Sequence, residues 1–398
     1  MFKRGSLSQT YSAQYLKPWV NGTTTSYTKT IGVANAASTI GSSILYNWYD
    51  PARFTYFGGA MVGSSGTSQN YAFNSTEQSA SDRTLGQFVE FDFSGSVFEV
   101  AQQVLGANAS ASMIVFVNGI KQTQFAEVTA TTNTTNDVFL IKFDFGTAVS
   151  RKITLYIDHG FRGIYSTVAP TASTRARNGK VMVVLSDSWA AGANSGAITH
   201  NFPLELALLT GHDEVVVLSQ SGTGWKNDSL NTNGYGTARS PFGSHHRLTP
   251  LMQHKPSTIL FAGSVNDVSI PGYDTTTNLD VTSAINRLLP NLPITTQVFI
   301  AGGQYVNLYT KPSYTPLDSQ IGIGIANSAY PNRIKQIICT DTNTTSGTPW
   351  LTGTGTTAAT AGDGNSDIYV TSDKKHLVAA GQYFWASQLA NRMISFGV

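Results

Sequence analysis

Residues Val181–Ala193 read VMVVLSDSWAAGA. Five apolar residues, Val181–Leu185, run without a polar break and then give way to Ser186-Asp187-Ser188. A run with no polar alternation fits a strand covered on both faces, as in a parallel sheet. The polar break fits the carboxyl end of such a strand, the edge at which open parallel sheets bind ligands. Four later segments are read as strands of the same sheet: Val215–Leu218, Thr258–Phe261, Val298–Ala301 and Ile334–Cys339. Between them lie FPLELALLTG, HHRLTPLMQHK and NLDVTSAINRLLP, each helix-like in pattern. The last segment, HLVAAGQYFWASQLANRMISF, sets Ala386, Leu389, Ala390 and Met393 at i, i+3, i+4 and i+7. This alternation of strand and helix predicts a doubly wound α/β domain over 181–398, with a parallel sheet.

Upstream of that domain the pattern is different. QFVEFDFSGSVFEV (Gln87–Val100) sets Phe88, Glu90 and Asp92 against Val89, Phe91 and Phe93, then restarts after a Ser-Gly turn. SMIVFVNGIKQTQF carries Asn118-Gly119 between apolar flanks, a strong hairpin signal. DVFLIKFDFG and RKITLYIDHG read as two more strands, and 29–165 contains no convincing helix. Short strands with Gly, Asn and Ser turns predict an antiparallel β-sandwich, of jelly-roll type, over 29–165. Residues 1–28 then form an N-terminal extension, and the Pro-, Ser- and Thr-rich stretch 166–180 a linker. TGTGTTAATAGDGNSD (352–367) is of low complexity and reads as a surface loop.

Composition narrows the function classes. The chain has 398 residues, 41% of them apolar, so a sizeable core can be buried. Charged residues make up only 12%, against about 25% in an ordinary soluble domain. Ser, Thr, Asn and Gly fill the deficit, a mix suited to extracellular or virion proteins. The net charge is +2 and no dense Lys/Arg run exists, which argues against nucleic acid or an anionic membrane as partner. Arg175, Arg177 and Lys180 read as a solvated part of the linker. Cys339 is the single cysteine, so a disulfide framework is excluded and a buried, inert thiol is expected. No signal peptide is expected, because the first residues lack an apolar core. No apolar run approaches the ~20 residues of a membrane helix.

The residues just after each apolar run carry the chemistry. Ser186-Asp187-Ser188 comes after the first, SQSGTGW with Gly222 after the second, and AGSVNDV with Asn266 and Asp267 after the third. SDKKH, with Asp373 and His376, precedes the last helix and is the one Asp-x-x-His of the chain. A serine hydroxyl needs a base to become a nucleophile, and histidine, titrating near ~6.5 when unperturbed, suits that task. A carboxylate three residues earlier can turn back to hold the other ring nitrogen.

This set, in this order, resembles the SGNH (GDSL-type) hydrolase family over roughly Gly179–Val398. The resemblance implies a flavodoxin-like catalytic domain with Ser188 as nucleophile, His376 as base and Asp373 as its partner. It implies an oxyanion hole formed by the backbone N–H groups of Ser188 and Gly222 and the side-chain amide of Asn266. The chain departs from the family at three places. Ser186 stands where Gly is usual, one extra residue separates Gly263 from Asn266, and Leu377 stands where Pro is frequent. Asp267 is expected to be structural.

The two-domain arrangement is similar to that of carbohydrate O-acetylesterases and of esterase-bearing phage tail proteins. The resemblance therefore implies removal of O-acetyl groups from a polysaccharide, without metal or cofactor, by an extracellular or virion-associated protein. The β-domain would bind glycan or shape the cleft. Two alternatives are a lipase or thioesterase on the same residues, and a non-catalytic glycan-binding tail protein. A homo-oligomer is left open. Trp189 and Trp225 admit two readings: a packed hydrophobic wall, or a platform for stacking sugar. His245-His246 reads as surface loop rather than metal site, and His159, His200, His212 and His254 carry no motif. IGIGIANSAY comes after no predicted strand and lacks the acidic partner, which argues against a dinucleotide fold.

Overall fold

The computed structural model describes residues 20–21, 25–58, 61–63, 72–74, 87–104, 111–122, 126–128, 137–157, 160–173, 180–190, 201–228, 239–263, 265–302, 311–339, 350–352, 364–373 and 375–398. Contacts divide the chain into two compact units, one built from the described residues up to Ser173 and one from those from Lys180 onward. His159, His200 and most of the stretch 352–367 lie outside the described residues.

The later unit is the α/β unit. Its sheet has five strands: β1 (Val181–Ser186), β2 (Glu214–Ser219), β3 (Thr258–Ala262), β4 (Gln297–Gly302) and β5 (Ile334–Ile338). Their order is β2-β1-β3-β4-β5, and every pairing is parallel. Val183, Val184, Leu185, Val216, Val217, Ile259 and Leu260 are all fully buried, as unalternated runs require when both faces are covered. Among the described residues, five helices of two or more turns accompany the sheet, besides the single turn Ser366–Tyr369: α1 (Phe202–Leu209), α2 (His245–Gln253), α3 (Tyr273–Leu288), α4 (Lys311–Ala326) and α5 (Ala379–Ser395). The strand order reverses at β1, so right-handed crossovers place α1 on one face and α2, α3 and α4 on the other. The contacts agree, with α1 packed on α5, α3 on α4, and α2 on α3.

α4 has no counterpart among the helices expected from sequence, where IGIGIANSAY stands as a segment after no strand. Pro316, Gly322 and Gly324 lie inside it, and each lowers helix propensity. Leu317, Ile321 and Ile325 supply the compensation, a buried stripe at i, i+4 and i+8. Gly324 also lies where a side chain would collide with Val281 and the Asn278 carbonyl, so its lack of a side chain lets α3 and α4 approach.

The earlier unit consists of two sheets, antiparallel except for one short parallel pairing. The first has the order Val20–Asn21, Ile120–Lys121, Ala111–Val117, Arg151–Ile157, Gln87–Phe93, Thr171–Ala172. The second has the order Thr28–Ile31, Val138–Asp144, Val97–Gln103, Gly160–Ser166, Ala72–Asn74, Met61–Gly63. Val89, Phe91, Val115, Ile153 and Leu155 from the first sheet share one core with Phe98, Val100, Ile141, Phe143 and Ile164 from the second. Ile120 pairs with Val117 across Asn118-Gly119, the expected two-residue hairpin.

Several expectations change here. Gln87–Phe93 and Val97–Gln103 are both strands but belong to different sheets, so the Ser-Gly turn carries the chain from one sheet to the other. Thr171–Ala172, within the expected linker, pairs with Asp92 and Phe91. Val20–Asn21, within the expected extension, pairs with Ile120 and Lys121. Glu90, on the polar face of its strand by alternation, is buried, and its carboxylate accepts the Thr154 hydroxyl at 2.8 Å.

Candidate active site

The strand register brings three of the motifs to one edge. Ser186 is the Cα partner of Ser219 on β2 and of Ala262 on β3. The turn bearing Ser188, the loop bearing Gly222 and the turn bearing Asn266 therefore leave three adjacent strands at the same level. That edge, where the order reverses around β1, is where doubly wound sheets bind ligands. Ser186 itself closes β1. It is fully buried, its backbone is not left-handed, and its hydroxyl donates to the Ala262 carbonyl. A side chain here ties β1 to β3 and strains nothing. The Asp187 carboxylate accepts the Trp189 N–H at 3.0 Å and turns the chain. Gly263, the first residue after β3, faces that carboxylate. Its φ is +142°, and a Cβ there would meet the Asp187 carboxyl group.

Ser188 is 7% exposed. Its Oγ lies 2.9 Å from Nε2 of His376, and Nδ1 of the same ring lies 2.5 Å from Oδ2 of Asp373. The segment that supplies these two residues is a closed turn. Val370 and Leu377 form an antiparallel bridge, and the Thr371 N–H donates to the His376 carbonyl at 2.8 Å. Inside the turn, Asp373 Oδ1 accepts the N–H groups of Lys375 and His376 and the Thr371 hydroxyl. Burial works to raise the Asp373 carboxyl, but the bonds from His376, Thr371 and the two backbone N–H groups outweigh it and hold it well below the usual carboxylate range. Asp373 is thus an anion on Nδ1, which fixes the tautomer and leaves Nε2 bare toward the Ser188 hydroxyl. Leu377, the residue after the histidine, is buried at the bridge.

Three N–H donors stand at the same edge. Gly222 has φ +81°, a conformation that glycine adopts without strain. Asn266 donates one amide hydrogen to the Thr223 carbonyl at 2.9 Å. Among the described residues, the N–H of Ser188, the N–H of Gly222 and the second amide hydrogen of Asn266 meet no protein acceptor. Asp267 is fully buried and accepts the N–H groups of Trp225, Lys226 and Asn227 at 2.7, 2.9 and 2.9 Å. Burial pushes its carboxyl up to about 6 against those bonds. It holds the Gly222 loop against the Asn266 turn, a structural part as expected.

Trp189 and Trp225 require correction as substrate platforms. They are 1% and 2% exposed. Trp189 packs edge-on against Trp385, and Trp225 against Phe242 and Phe261. Neither ring has a free face for a sugar. His245 and His246 are exposed on the first turn of α2, not in a loop. Cys339 is buried, and burial pushes its thiol up. Among the described residues, no group of three or more His, Cys, Asp or Glu is placed to hold a metal ion, and no helix is long and apolar enough to cross a membrane.

Two residues around the serine turn were not anticipated. Gln382 of α5 donates to the Trp189 carbonyl at 3.0 Å and accepts the Phe202 N–H at 2.9 Å. Arg247 of α2, only 3% exposed, donates to the Ser186 carbonyl at 2.9 Å. Both bond largely to the main chain, so no motif announces them.

No family model matches the chain, and no curated protein matches it in sequence. Solved structures do match it in fold. A salicylyl-acyltransferase from a tetracycline biosynthetic pathway superposes with a TM-score of 0.65 at 11% identity, over 90% of this chain and 99% of that one. An acetyl xylan esterase from the rumen bacterium Butyrivibrio proteoclasticus gives 0.54 at 14% identity, over 94% and 98%. A protein described as a GDSL-like lipase from Bacteroides ovatus gives 0.54 at 12% identity, over 86% and 97%. The SGNH/GDSL resemblance drawn from the motifs therefore has its counterpart in the fold.

Proposed function

We propose that the protein is a serine esterase that removes O-acetyl groups from a polysaccharide. The observation that carries this reading is the hydrogen-bonded chain Asp373–His376–Ser188, with steps of 2.5 and 2.9 Å at the carboxyl edge of the parallel sheet. His376 Nε2 takes the Ser188 proton as Oγ bonds to the acetyl carbonyl carbon. The carbonyl π electrons move onto oxygen, and the N–H groups of Ser188, Gly222 and Asn266 receive that charge. Collapse breaks the bond to the sugar oxygen, which leaves with the proton from His376. Water, deprotonated by the same nitrogen, then splits acetyl-Ser188 to acetate and free serine. Asp373 stays ionised and steadies the imidazolium.

The acetylated sugar is supported by the likeness to an acetyl xylan esterase and by the carbohydrate-esterase resemblance of the motifs. In this reading 181–398 is the catalytic domain. The sandwich of 29–165 is a jelly-roll domain that binds glycan. The charge-poor, hydroxyl-rich composition fits a place outside the cell or on a virion, including a phage tail. The test is acetate release from a panel of acetylated glycans, alongside p-nitrophenyl esters of increasing chain length. Release from a glycan, abolished by Ser188→Ala, is expected. Preference for long acyl chains would favour a lipase, and no hydrolysis by a folded protein would favour glycan binding alone.

A further inference from the structure

Arg247 enters the unit at the third position of α2, yet its guanidinium is buried where β1 and β2 end. Nη2 donates to the Ser186 carbonyl at 2.9 Å and to the Leu218 carbonyl at 2.6 Å. Nη1 donates to Gln220 Oε1 at 3.0 Å, to Thr223 Oγ1 at 3.3 Å and to the Ser240 carbonyl at 3.0 Å. Phe242 covers its face at 5.5 Å. Five oxygens from three chain segments thus converge on two nitrogens of one planar group.

The identity of those oxygens gives the site its meaning. Ser186 lies two residues before Ser188. Gln220 and Thr223 flank Gly222. The Thr223 carbonyl in turn holds the Asn266 amide at 2.9 Å. The three segments that present the free N–H donors are therefore spaced by a single side chain and its partners. A buried cation is costly unless hydrogen bonds offset its desolvation, and the two Nη atoms of the planar fork fix their acceptors in direction as well as distance. A lysine would offer three donors from one point and could not span the same set.

We propose that Arg247 is the positioning residue of the oxyanion site. It sets the distance between the Ser188 N–H and the Gly222 N–H and, through Thr223, the seat of the Asn266 amide. It touches no reacting atom. The inference rests on the esterase reading of this site. Charge appears on the carbonyl oxygen only in the transition state, so loosening the donors lowers kcat and leaves KM alone. Misplacement by about 1 Å costs on the order of 10²-fold.

Wild type, Arg247→Lys and Arg247→Met are to be compared for hydrolysis of 4-methylumbelliferyl acetate, for Ser188 labelling by a fluorophosphonate, and for thermal unfolding. For Arg247→Lys, kcat should fall about 10- to 100-fold with KM within about two-fold, and labelling should slow by a similar factor. A folded Arg247→Lys protein with kcat near wild type overturns the proposal. Should both variants fail to fold, Thr223→Val keeps the arginine and removes one of its acceptors. A several-fold fall in kcat at constant KM is then expected, and an unchanged kcat overturns the proposal. If wild type hydrolyses no ester, the esterase reading fails first. Amide hydrogen exchange then decides the structural claim: faster exchange at Gln220 and Thr223, whose N–H groups donate to the Ser186 and Gln220 carbonyls, supports it in Arg247→Lys, and unchanged exchange overturns it.

Discussion

Two histidines sit at opposite edges of the same parallel sheet. His376 is at the carboxyl edge, with Nδ1 on Asp373 and Nε2 on Ser188. His212 is at the amino edge, with Nδ1 on the Thr210 hydroxyl at 2.7 Å and Nε2 on the Thr258 hydroxyl at 2.8 Å. The Thr210 hydroxyl spends its one hydrogen on the Leu206 carbonyl, so Nδ1 of His212 must carry the proton and Nε2 must accept. Both rings thus hold the same tautomer between two oxygen partners. What differs is the oxygen on Nδ1 and the access of solvent. A carboxylate backs His376, whose side chain is 16% exposed. A neutral hydroxyl backs His212, which is 1% exposed. Burial, helped by the charge of Lys180, pushes His212 down to about 3. A histidine bonded on both sides becomes a base only where a second proton can be accommodated.

Exchanging alanine for each histidine separates the two roles. His376→Ala, like Ser188→Ala, should cost about 10⁴- to 10⁶-fold in kcat against an acetyl ester, with the unfolding temperature nearly unchanged. Asp373→Asn keeps the turn's size and removes the anion, and should cost up to about 10⁴-fold; steady-state kinetics beside circular dichroism checks both. Asn266→Ala removes one donor at the same edge and should cost about 10²- to 10³-fold, mostly in kcat.

The amino edge should answer in stability instead. His212→Ala strands the Thr258 hydroxyl and leaves a cavity, at about 3 kcal/mol by denaturant unfolding, with kcat per folded molecule retained. A His212→Gln protein sharpens the contrast through pH. His212 stays neutral in the fold while the unfolded chain takes up a proton near 6.5. Wild type therefore loses stability as pH falls from about 6.5 toward 3, about 2 kcal/mol of it by pH 5. His212→Gln lacks this dependence, so its stability relative to wild type should rise over that range. A constant difference from pH 7 to pH 5 would break the comparison.

The sequence reached these two edges unequally. Ser188, Gly222, Asn266 and Asp373-x-x-His376 could be found because each comes after an apolar run or opens a helix, and strand register then aligns the run ends. His212 could not, since its partners are the hydroxyls of Thr210 and Thr258, and threonines so placed are unremarkable in sequence. Arg247 was hidden for a related reason: carbonyl oxygens are its main partners, and every residue carries one. Trp189 and Trp225 were half legible, because an aromatic at the end of a strand packs or stacks according to neighbours distant in the chain. Trp385, 196 positions after Trp189, closes that ring face. In the sandwich, Gln87–Phe93 and Val97–Gln103 were recognisable as strands. Their separation into two sheets was not, because a short turn serves a hairpin and a crossing equally well.

The central claim is that His376 activates Ser188, and a fluorophosphonate probe with intact-mass readout tests it most directly. Wild type should gain a single adduct, located at Ser188 by peptide mapping. Ser188→Ala should gain none, and His376→Ala should label slower by orders of magnitude. An unlabelled wild type, or an adduct that persists in Ser188→Ala, would contradict the account.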